Sequence, residues 1–144
     1  MRVPFGSPVL DAAVRLLAPF ILLFATYVVG HGHYSPGGGF QGGVLLAAAL
    51  ILIRLVHGTE EPWGLRRESS LALAGTGLVL YMAIGFLGAA FGGQFLDYGA
   101  LPLPLEPPQV RAVGTFGIEL GVGMTVMGVM VFLCDALMGW EEKG

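Results

Sequence analysis

Residues Gly30 to Leu55 read GHGHYSPGGGFQGGVLLAAALILIRL. Two histidines, a proline and three consecutive glycines stand directly before an apolar run, although a glycine inside a helix in water costs roughly 1 kcal/mol relative to alanine. In lipid that cost changes its meaning. No hydrophobic force draws helices together there, and small residues that let backbones approach closely supply much of the packing energy. The stretch reads as the tight entry into a helix built for a membrane.

The composition agrees. Of 144 residues, 55% are hydrophobic and 12% charged, with mean hydropathy +0.77, where a soluble domain carries about 25% charged residues. A small globule buries only about two-thirds of the surface its chain exposes, too little to hide this much apolar area from water. The net charge of −3 arises from charges at segment ends, with no basic stripe for nucleic acid. The lone Cys134 has no intramolecular disulfide partner.

A spanning helix needs about 20 mostly apolar residues. Four windows meet or approach this, at 9–30, 39–57, 70–92 and 110–138, predicting a single all-α integral membrane domain over 1–144. Arg2, Arg15, Arg54, Arg66, Arg67 and Lys143 fall on one side of these spans and only Arg111 on the other. The positive-inside rule then puts both termini and the Arg-rich connection in the cytoplasm. Asp11 and Arg15 interrupt the start of the first span and no A-x-A-like site follows, which argues against a cleaved signal. They stand in the favourable i, i+4 order for an ion pair anchoring the helix at the interface. The proline-rich third connection has room for a small ordered cap.

Glycines four apart recur as Gly38/Gly42, Gly39/Gly43, Gly88/Gly92 and Gly117/Gly121. These small faces exceed what one four-helix unit needs, so some are expected to meet other polypeptides. Ser35 is placed to cap the second helix and Pro36 to occupy its first turn. A helix start of this kind attracts anions, but neither a Lys-Ser/Thr pair nor a βαβ context supports a phosphate cradle.

Glu119 lies inside the fourth span, where an ionisable side chain costs about 2.5 to 3.5 kcal/mol on insertion scales. It reads either as a group on an ion or proton path or as a carboxyl that fixes helix packing. His33, titratable near neutrality, stands beside the glycine turn as a second candidate, against the alternative of a loop histidine bonded to the backbone. His31 and His33 alone are too few for a closed zinc site. Asp135 and Arg54 either pair across helices or snorkel to the headgroups. Met124, Met127 and Met130 read as adaptable packing, and Tyr27, Trp63, Tyr98 and Trp140 as an interfacial belt. No nucleophile-base arrangement or cofactor motif points to an enzyme.

The run GHYSPGGGFQGG resembles the GHxxPGGGFxGG signature of the MnhB family, a small membrane component of the Mrp-type cation/proton antiporters. His33, Pro36, Gly37, Gly38, Gly39, Phe40, Gly42 and Gly43 match in place. "LAPFILLFATYVVGHG" is similar to the first span of that family, and Glu119, Gly121 and Val122 to its fourth-span acid-x-Gly-Val element. The resemblance implies a small four-span subunit of a Na+/H+ antiporter in a bacterial or archaeal cytoplasmic membrane. Its partners would be large complex I-like subunits and further small membrane subunits, with Na+ and H+ as transported ions and no cofactor. Glu119 and His33 would line or support the cation path. Similar modules occur in membrane-bound hydrogenases, so a redox-driven complex is the alternative the resemblance leaves open, beside a purely structural adaptor.

Overall fold

The computed structural model describes residues 7–34, 37–58 and 65–141, with His33, Trp140 and Glu141 described by backbone alone. Four helices make up most of it: α1 (Pro8–Gly30), α2 (Gly38–His57), α3 (Arg67–Ala90) and α4 (Pro107–Glu141). All four are long and apolar enough to cross a membrane. Each apolar window thus lies on its own helix, with shifted ends. α4 starts three residues early, because Pro107 and Pro108 suit a first turn whose N–H groups lack helical partners anyway.

Local chemistry sets the other boundaries. Ser7 accepts from the Leu10 N–H at 3.2 Å, Pro8 occupies the first helical position, and Asp11 lies in the first turn beside the positive end of the α1 dipole. Gly92 was expected to pair with Gly88 on a helix face, but α3 ends at Ala90. Gly92 instead takes φ +91° beyond the end, and Gly93 N–H closes on Gly88 O at 3.1 Å. This is a Schellman stop, which favours glycine at the left-handed position. Ser35 and Pro36 lie outside the described residues; the N-cap of α2 is Gly37, at φ +92° with no side-chain cap.

The helices stand in single file. α1 packs on α2, α2 on α4 and α4 on α3, α1 meets α4 only marginally, and among the described residues neither α1 nor α2 touches α3. Glycine makes the inner joints close. A Cβ at Gly43 would sit 2.7 Å from the Gly123 carbonyl oxygen, and one at Gly121 would sit 2.9 Å from that of Gly77. Gly42 abuts Val29 and Ala25 of α1, while Gly117 and Gly121 both face α3 through Ile84, Tyr81 and Gly77. Of the spaced glycines, all but Gly92 are thus used for close contacts within the chain. Within the helices, a Cβ at Gly75 or Gly139 would meet nothing within 4 Å.

The third connection folds over one end of α3 and α4. A 3-10 turn, Tyr98–Ala100, is capped by Asp97, whose carboxylate accepts from Gly99 N–H at 3.1 Å. Phe95 packs edge-on against Phe86 at 5.4 Å. The ordered cap expected from the sequence is present.

Candidate functional site

The two motifs set apart by the sequence meet in space. After α1 the chain makes a 3-10 turn, Gly32–Tyr34, and then enters α2. Gly32 lies with its Cα against the carboxyl of Glu119, so that a Cβ there would fall 3.0 Å from Glu119 Cδ and 2.8 Å from Gly38 Cα. Gly39, in the first turn of α2, backs onto the main chain of Glu119, with only 2.7 Å between a Cβ and Glu119 Cα. Each glycine of this cradle occupies a place where any side chain would push helices apart. Glu119 Oε2 is buried within it.

The carboxyl therefore sits beside the start of α2, where the helix presents its partial positive charge and no side-chain cap competes for the free N–H groups. The backbone of His33 belongs to the turn covering the carboxyl; its side chain, like Pro36, lies outside the described residues. Phe40, by contrast, is exposed and turns away towards a shallow groove with Phe24, Val28 and Val44. Gly121, two residues after the acid, faces α3 and fixes the opposite side of α4. Tyr98 packs over Gly114 of α4. Burial, then the negative charges of Tyr81 and Glu119, hold its phenol above the usual value of 10.0.

Depth follows from helix length. α2 has 20 residues, hence about 30 Å at 1.5 Å each, the thickness of a hydrocarbon core. Glu119 is level with the first turn of this helix rather than with its middle. Arg54 lies near the other end. It is 1% exposed and pairs through Nη1 with Oδ1 of Asp135, itself 8% exposed, while Nε and Nη2 have no partner among the described residues. The cross-helix pair is formed and neither group snorkels. Between the two ionic levels the α2–α4 seam is apolar, filled by Ala47, Leu50 and Val131 with Met127 and Met130 against them. The expected methionine packing is seen at these two positions.

A feature the sequence reading missed lies at the Arg54 end. His57 Nε2 meets Asp11 Oδ1 at 2.5 Å, and Arg15 Nε meets Asp11 Oδ2 at 3.0 Å, so the expected i, i+4 pair is joined by a group from α2. The signal was available in part: successive spans run in opposite directions, so His57 at the end of α2 falls on the side where α1 begins with Asp11. Among the described residues no group of three His, Cys, Asp or Glu side chains could hold a metal ion.

Comparison with known proteins bears on this arrangement. Residues 9–132 match the family described as "Domain related to MnhB subunit of Na+/H+ antiporter". A Na(+)/H(+) antiporter subunit of Bacillus subtilis is 32% identical over 136 residues, covering 93% of this chain and 94% of that one. A Staphylococcus haemolyticus protein with the antiporter subunit name mnhB2 is 32% identical over 93% of this chain and 96% of its own. Protein MJ1307 of Methanocaldococcus jannaschii is 31% identical over 84% of this chain but only 48% of its own. No solved structure matches. A match across both motifs and nearly the whole length shows that the chain belongs to the MnhB family of Na+/H+ antiporter subunits.

Proposed function

We propose that this chain is the MnhB-type membrane subunit of a multisubunit Na+/H+ antiporter in a bacterial or archaeal cytoplasmic membrane, without catalytic chemistry of its own. It is one four-span unit with both termini in the cytoplasm. The end of the row carrying Arg15, Arg54, Arg66 and Arg67 faces inward by the positive-inside rule, and Glu119 lies at the outward boundary. The observation that carries the reading is the convergence of the glycine-rich turn and Glu119: a carboxyl at the membrane boundary, walled by backbone, beside a helix N-terminus. Such a group exchanges protons or a monovalent cation with a neighbouring path. His33, Pro36 and the glycines from Gly37 to Gly43 shape its cover.

The apolar seam from Ala47 to Val131 supports a particular form of this role. An ion reaching Glu119 does not continue along α2 and α4 within this chain but passes laterally into a large complex I-like subunit packed on the row. The same seam favours a second reading, in which the chain is a structural adaptor and Glu119 only a packing group. Transport separates the two. In inverted vesicles from a host lacking its own Na+ exchangers and expressing the complete complex, Glu119→Gln is expected to lower Na+-driven proton movement by about tenfold or more, equivalent to about 1.4 kcal/mol. Assembly should persist, and Glu119→Asp should retain much of the activity. Full activity of Glu119→Gln in a normally assembled complex establishes the adaptor reading instead.

A further inference from the structure

A groove of about 390 Å³ runs between α1 and α2 at the Arg54 end of the row. Its walls are Val14, Ala18, Pro19, Leu22 and Ile53, and its rim is Arg15 and His57. The walls are apolar and the rim is basic. We propose that the groove is a binding site for one anionic phospholipid, with an acyl chain between α1 and α2 and the phosphate on Arg15 and His57.

The rim is held for this purpose by Asp11. Its carboxylate takes the Nε of Arg15 at 3.0 Å and the Nε2 of His57 at 2.5 Å, so two donors from different helices are fixed side by side. What remains free is the set suited to a phosphate. Arg15 keeps both terminal nitrogens, and His57 keeps its second ring nitrogen, Nδ1. The nearby cation Arg54 is already engaged by Asp135, which leaves the Arg15 head as the one that can turn to a headgroup. Arg15 is 68% exposed and its charged head can reach a headgroup without leaving Asp11. The position matches as well: the rim lies about two turns from the start of α1 and at the last residue of α2, near one end of both apolar helices. Basic pockets between membrane helices are the usual seats of anionic lipid headgroups.

The inference does not depend on antiport, so its test is read without transport. The complete complex is placed in bilayer discs containing either phosphatidylglycerol or phosphatidylcholine with a photoactivatable group on one acyl chain, irradiated, and mapped by mass spectrometry. The expected result is labelling of α1 between residues 14 and 22 and of α2 around Ile53 by the phosphatidylglycerol probe, about fivefold above the phosphatidylcholine probe. Arg15→Gln should remove that preference. Leu22→Trp, which fills the groove while leaving the rim intact, should abolish labelling of Ile53. Equal labelling by the two probes, a preference that survives Arg15→Gln, or a groove that stays unlabelled because another subunit covers it would each overturn the proposal.

Discussion

Asp135→Asn is the most demanding test of the packing described above. Arg54 is 1% exposed, and its contact with Asp135 satisfies one nitrogen while Nε and Nη2 stay without partners among the described residues. Removing the acid leaves a buried guanidinium with no counter-charge, which costs about 3 to 5 kcal/mol. Arg54 stands three residues from the end of α2, so partial snorkelling to the interface limits the loss to the lower half of that range. Replacing both partners by apolar groups of similar size is a different perturbation, because a buried pair barely repays its desolvation. Arg54→Met with Asp135→Leu is expected to be neutral or stabilising by about 1 to 4 kcal/mol. The assay is stepwise heating of the detergent-purified complex, followed on native gels by the temperature at which this chain is lost. Asp135→Asn should lower it by about 10 °C, on a scale of a few degrees per kcal/mol, and the apolar pair should return it to at least the starting value. A shift under about 2 °C for Asp135→Asn, or a double variant as unstable as the worse single one, refutes the burial argument.

Gly43→Ala brings a Cβ to 2.7 Å from the Gly123 carbonyl and 3.1 Å from Val126 Cβ; it should cost about 1 to 3 kcal/mol, read as loss of assembled complex. Gly75→Ala meets nothing within 4 Å in this chain and should stabilise α3 by about 1 kcal/mol; lost assembly instead would identify Gly75 as a contact with another subunit. Gly92→Ala forces φ +91° on a residue with a side chain and should lower thermal stability by about 1 kcal/mol, with Gly92→Asn milder. The Tyr98 phenol binds its proton more tightly folded than unfolded, so its contribution is complete below pH 10 and declines as pH rises through the folded pKa. Tyr98→Phe should flatten the stability-against-pH curve above pH 10 and leave it unchanged near neutrality.

Span number was legible because it rests on long apolar windows, a strong and one-dimensional signal. The spatial order was not. Nothing in the periodicity says that α2 sits between α1 and α4, since helices in lipid are apolar on every side and carry no core stripe to orient them. The glycine spacings told which faces are close-packed but not against what: Gly39 and Gly43 both meet α4, whereas the neighbouring Gly38 and Gly42 meet the 3-10 turn and α1. Glu119 stood out as a charge in an apolar run, yet its place beside the first turn of α2 became clear only in the fold. His57 escaped notice because it belongs to a helix end, where a polar residue is ordinary until the partner helix brings a carboxylate to it.

The single-file order has a mechanical meaning. α1 with α2 and α3 with α4 form two leaves, and the α2–α4 line is nearly the whole binding between them. Along that line one end is bare backbone on backbone at Gly39, Gly43 and Gly123, and the other is pinned by Arg54 and Asp135. A tilt of one leaf against the other about the pinned corner would produce a displacement that grows with distance from that corner. Glu119 is enclosed at the end far from that corner, so a neighbour that tilted α3, at no contact with the carboxyl, would change how far that carboxyl is shut in.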